Sequence, residues 1–68
     1  MITNEKLLKA GFIQEVINGV TIYTRERYSF IYNGIGWSPC AILSGEIGID
    51  RIYLNTMEEL EYFITKSK

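Results

Sequence analysis

A chain of 68 residues with 47% hydrophobic and 22% charged side chains has the composition of a folded globular domain, large enough for one small core. A net charge of −1, one cysteine and no histidine exclude an intramolecular disulfide, histidine metal ligands and the commonest general base, and leave no electrostatic footprint for nucleic acid. No apolar run approaches the ~20 residues that span a bilayer.

At the start of the chain, Thr3 ahead of Glu5, Lys6, Leu7, Leu8, Lys9 and Ala10 predicts a short helix with Thr3 as N-cap. Gly11 is the left-handed residue that ends it, and Phe12 falls where it can touch Leu7. So short a helix is marginal alone, so it is expected to dock through Leu7 and Leu8.

Residues Phe12 to Ile17 and Val20 to Arg25 flank Asn18-Gly19, a dipeptide suited to a two-residue hairpin turn. In that register Ile13, Ile17, Val20 and Ile22 share a face with Glu15 and Thr24, opposite Phe12, Val16 and Tyr23 with Gln14, Thr21 and Arg25. The more aliphatic first set is expected to face the core. Arg25-Glu26-Arg27 then reads as a charged connection, either solvated or a pair of ligand-binding arginines.

Asn33-Gly34 is a second turn signal, between Tyr28–Tyr32 and a strand that starts near Ile35 and continues towards Leu43. Counting outward sets Tyr32 opposite Ile35, Phe30 opposite Trp37 and Tyr28 opposite Pro39, which makes one face aromatic. Ser29 and Ser38 lie on the other face, which is expected to be wet. Pro39 cannot donate to a ladder, so the strand is an edge there or bends. Ser44, Gly45, Glu46 and Gly48 make a glycine-containing loop that reads as a turn, too poor in lysine to cradle phosphate. Ile49 to Leu54 reads as a last strand, with Ile49, Arg51 and Tyr53 on one side.

Thr56-Met57-Glu58-Glu59 has the capping-box form, and Met57, Leu60, Phe63 and Ile64 make one apolar stripe of a C-terminal helix. Lys66 and Lys68 suit its end, as the glutamates suit its start. The chain is thus expected to be a single α+β domain over residues 1–68: a short N-terminal helix, an antiparallel meander sheet of about five strands, and a C-terminal helix packed on one face.

Chemistry-bearing residues are few. Cys40 has neither a second cysteine nor a nearby base and reads as a structural thiol, while Glu58 and Glu59 diverge by about 100° on their helix. No catalytic residue, cofactor site or metal site emerges, so the chain is expected not to be an enzyme. The aromatics remain. Tyr28, Phe30, Tyr32 and Trp37, with Tyr53 beside them, either build the core or form a partly exposed protein-binding face. The alternative is a small nucleotide or nucleic-acid binder that stacks bases on this face and adds Arg25 and Arg27.

The pattern Leu7-x-x-x-Gly11-Phe12, then Gly36-Trp37-x-Pro39, then Leu54-Asn55-Thr56-Met57-Glu58-Glu59-Leu60 resembles the small accessory proteins carried by bacteriophages and prophages of Bacteroides-type bacteria. The resemblance spans nearly the whole chain and brings no catalytic residues. It implies a host-cell cytoplasmic setting, in keeping with the lack of a signal-type leader, and a role in binding or inhibiting a host protein, including one of a defence system. The small number of helices also predicts a homodimer, joined through an edge strand and the aromatic side around Trp37, Tyr32 and Tyr53.

Overall fold

The computed structural model describes residues 1–66. Its elements in chain order are α1 (Asn4–Lys9), β1 (Ile13–Ile17), β2 (Val20–Arg25), β3 (Tyr28–Tyr32), β4 (Trp37–Leu43), β5 (Glu46–Ile49) and α2 (Met57–Lys66). The expected contribution of Lys68 to the last helix lies outside the described residues. All five strands join one sheet in sequence order, each antiparallel to the next, so the fold is the expected α+β meander between two helices.

Both helices carry their designed stops and starts. The Lys6 amide donates to Thr3 Oγ1 at 3.2 Å and caps α1. At its other end the Phe12 amide reaches the Leu7 carbonyl at 3.0 Å and the Gly11 amide the Leu8 carbonyl at 3.1 Å, the paired bonds of a Schellman stop with Gly11 at φ +95°. Leu7 is fully buried, but Leu8 is exposed, so α1 docks through one leucine and not two. Ahead of α2 the Glu59 amide donates to Thr56 Oγ1 at 3.1 Å, while Glu59 Oε1 accepts from the Thr56 amide at 3.1 Å. Leu60 and Ile64 are buried, with Met57 and Phe63 packed beside them.

The helices cover the aromatic face, not the aliphatic one. The core gathers Ile2, Leu7, Phe12, Tyr23, Phe30, Leu54, Leu60 and Ile64, and Phe30 meets Phe12 and Phe63 edge-on, with centroids 5.8 and 6.0 Å apart. The expectation that Ile13, Ile17, Val20 and Ile22 face this core is therefore corrected: rings at Phe12, Tyr23 and Phe30 offer the helices more area than a row of isoleucines.

The aliphatic face is closed by the sheet itself. Asn18 Nδ2, in the β1–β2 turn, donates to the Gly45 carbonyl of the β4–β5 turn at 2.7 Å. In a flat meander these turns sit at opposite ends of the strands and about 14 Å apart across them. Their contact requires a strongly rolled sheet, in the direction that strand twist favours. Ile22, Ile31 and Ser38 are buried on that inner face without any helix over them, and Ile17, Val20, Ile42 and Ile47 are half-buried around them. The face expected to be wet is thus dry at its centre: Ser38 is fully buried and its hydroxyl accepts from Asn33 Nδ2 at 2.7 Å.

Two strand boundaries also differ. The expected turn is confined to Ser44 and Gly45, at φ +54° and +82°, and does not extend to Gly48, which makes Glu46–Ile49 the last strand. Residues 50–53 then leave the ladder, and Leu54 returns to exchange two backbone bonds with Trp37, at 2.9 and 2.7 Å. Pro39 stands where the neighbour on that side of β4 changes from β5 to Leu54. Its carbonyl accepts from the Asp50 amide at 2.9 Å, but without an N–H it cannot return the second bond of that pair, and β5 stops there.

Arg25 ties three elements together. Its Nη1 donates to the Ala10 carbonyl at 2.9 Å and to Glu61 Oε2 at 3.0 Å, its Nη2 donates to Glu61 Oε1 at 2.6 Å, and the guanidinium lies 4.6 Å from the Phe12 ring centroid. The Glu61 hydrogen bonds hold its pKa above even the usual arginine value. Replacing Arg25 by Lys keeps the charge but loses the fork, and is expected to lower stability by about 1 kcal/mol in urea unfolding. An unchanged midpoint would show that the clamp contributes nothing. Gly11→Val should lower it by about 1–2 kcal/mol through backbone strain alone. A Cβ at Gly11 would meet only Arg25 Cδ, at an ordinary 3.6 Å, so an unaltered midpoint there would contradict the positive-φ stop.

Candidate functional site

The end of the sheet at the β3–β4 turn is built by Asn33. Its Oδ1 accepts from the amides of Ile35 and Gly36, both at 2.9 Å, while its own amide donates to the Gly36 carbonyl at 3.0 Å. Asn33 therefore stands before the turn and ties it from outside, and Gly34, at φ +94°, and Ile35 are the two turn residues. The expected register is corrected accordingly: Tyr32 pairs with Trp37 and Phe30 with Pro39. Moving the turn by one residue changes partners but leaves each side chain on its face, so the aromatic side survives the shift.

Trp37 is the fixed point of this end. Its ring lies 5.4 Å from Tyr23, edge-on, and 5.5 Å from Tyr32, tilted by 53°. Tyr23 is held in turn by a short hydrogen bond from its hydroxyl to Asn4 Oδ1. Gly36 allows the returning chain to close in, since a Cβ there would stand 3.0 Å from Asn55 Oδ1, 3.3 Å from the Leu54 carbonyl and 3.6 Å from Tyr53 Cβ. Beside half-buried Trp37, Tyr32 is 56% exposed; Ile35 in the turn is 76% exposed, and Tyr53, on the Gly36 side, 51%. No charged residue occurs from Tyr28 through Gly45.

The residues singled out in the sequence thus fall into three groups. Tyr32 and Trp37 come together at this end, whereas Tyr53, one residue before the Leu54 that pairs with Trp37, lies beside Gly36 on the reverse face. Phe30 is fully buried and Tyr28 packs against the core, so Phe30 offers no surface to a partner. Arg25 and Arg27 flank the β2–β3 turn, at the other end of β3 and about 13 Å along the strand from Tyr32. Arg25 is engaged by Glu61 and Ala10, and Arg27 is exposed. Ile35, and Ile52 beside Tyr53, are exposed apolar residues that the sequence reading placed inside strands. The signal for Ile35 was its position after Asn-Gly, which is also compatible with a turn at Gly34-Ile35.

Cys40 is half-buried on the rolled inner face, opposite Ser29, and burial first, then the Asp50 carboxylate, push its thiol above the ordinary range. Among the described residues no three acidic or thiol side chains gather as a metal site, and no helix is long and apolar enough to cross a membrane. Because the folded pKa is raised, the stability gained by keeping this thiol protonated is complete below the ordinary thiol value and is lost as pH rises through the folded one. Alkylation of the native chain is therefore expected to rise with pH at a higher midpoint than alkylation of the urea-unfolded chain. A native midpoint equal or lower would contradict it.

Comparison with family models, with curated proteins and with solved structures finds no match to this chain.

Proposed function

We propose that the chain is a non-enzymatic protein-binding module whose interface is the aromatic end of the sheet, centred on Trp37 and Tyr32, with Ile35 exposed in the adjoining turn. The observation that carries this reading is a half-buried tryptophan braced by Tyr23 from within and by two backbone bonds to Leu54, with the exposed Tyr32 ring against it. Interface cores are depleted in charge and enriched in Tyr and Trp, and a braced ring loses little freedom on binding. With the resemblance to phage accessory proteins, the partner is a host protein met in the host cytoplasm, and inhibition of a defence protein is the role.

The nucleic-acid alternative needs cations beside the stacking rings. Arg25 and Arg27 lie at the far end of β3, and Arg25 is already paired, so this geometry favours a protein partner.

Tagged wild-type chain, Tyr32→Ser and Arg27→Ser are to be used as baits in host lysate. A partner retained by wild type and Arg27→Ser but reduced about tenfold or more by Tyr32→Ser fits loss of a central anchor. Equal retention by all three, or retention of oligonucleotide that depends on Arg27, would overturn the reading. Sedimentation of the free chain distinguishes a second copy as occupant: a dimer that Tyr32→Ser dissociates assigns the patch to self-association.

A further inference from the structure

β1 presents an unusual edge. It is the first strand of the sheet, and four of its five residues are exposed, with Ile13 and Val16 each 65% exposed on opposite faces. Ile17 and Val20 close a two-residue turn with Asn18 at φ +52° and Gly19 at +79°, so they are a hydrogen-bonded pair. By alternation Ile13, Glu15 and Ile17 direct their amides and carbonyls at β2, whereas Gln14 and Val16 direct theirs outward. Among the described residues no hydrogen bond reaches those outward groups. The strand carries no lysine, no proline and no bulge, and of the devices that ordinarily blunt an edge it has only the charge of Glu15.

We infer that the outer edge of β1 accepts an antiparallel strand from another protein, one with a lysine or arginine opposite Glu15 and β-branched or aromatic residues two places to either side. The residue opposite Glu15 falls in a non-hydrogen-bonded pair, where side chains approach closest, so its charge is the feature most strongly read. Ile13 and Ile17 flank Glu15 on the same face and supply the apolar contacts, while Val16 meets a residue on the reverse face. Glu15 has no ion pair among the described residues.

The same charge argues against a second copy as the occupant. A two-fold β1–β1 ladder over the whole strand centres on Glu15 and sets two carboxylates opposite each other, and sliding it by two residues leaves them diagonal neighbours in a shorter ladder. The other edge, β5, has only four residues and a glycine, Gly48, within it. This inference concerns a surface separate from the Trp37 end and stands or falls apart from it.

The test uses a capped heptapeptide, TVTKTVT in one-letter code, titrated to millimolar concentration into the full chain with amide exchange and chemical shifts followed by NMR. The expected result is slowed exchange at Gln14 and Val16, with Ile47 and Ile49 of β5 unaffected. The variant peptide with a central glutamate should bind about fivefold or more weakly. Glu15→Lys, an exposed change, should reverse that preference, and it should leave partner capture through the Trp37 end intact. No change at Gln14 and Val16, equal affinity for both peptides, or a preference unmoved by Glu15→Lys would overturn the inference.

Discussion

Phe30 sits at the middle of the sheet with no exposed surface, and its ring is met edge-on by Phe12, which leads out of α1, and by Phe63 of α2. One side chain therefore locates both helices, and it draws them to the same face. Edge-to-face ring pairs add about 0.5–1.5 kcal/mol each beyond the area they bury, a large share of the margin available to so small a chain. Arg25 reinforces the choice by joining β2 to the end of α1 and to Glu61 of α2.

With both helices on one side, the other side has to be closed by the strands. The tight turns at Asn18-Gly19 and Ser44-Gly45 allow it, because they hold the strands in strict register and bring diagonal corners of the sheet into contact. Ile22, Ile31 and Ser38 end up dry beneath that roll. Neither helix nor roll covers the end beyond Trp37 or the outer edge of β1, the two surfaces proposed above for partners.

Much of this was legible in the sequence. Thr3, Gly11 and Thr56 mark helix ends through local hydrogen bonding that needs no tertiary context, and Asn18-Gly19 set its hairpin correctly for the same reason. Asn33-Gly34 misled because asparagine can also stand before a turn and accept two amides from outside it, an arrangement local propensity does not separate from the other. The turn after Leu43 is legible from Ser44 and Gly45 but not its tightness, since serine rarely adopts the positive φ found there, and the strand is expected three residues late. The direction of the core was missed because periodicity reveals that a strand has two different faces, not which one the helices cover. Of the candidate residues, Tyr32 and Trp37 meet through the β3–β4 hairpin, whereas Tyr53 is placed only by the pairing of Leu54 with Trp37, a contact between distant parts of the chain that puts it on the reverse face.

The account rests on one sheet with two kinds of closure, rings against helices on one face and a roll on the other. An NOE spectrum of the isotope-labelled chain tests both at once. The account predicts cross-peaks from the Phe30 ring to both Phe12 and Phe63, together with contacts from the Asn18 side-chain amide to Gly45. Contacts from Phe63 to Ile22 or Ile31, with none to Phe30, would place the helices on the opposite face and contradict it.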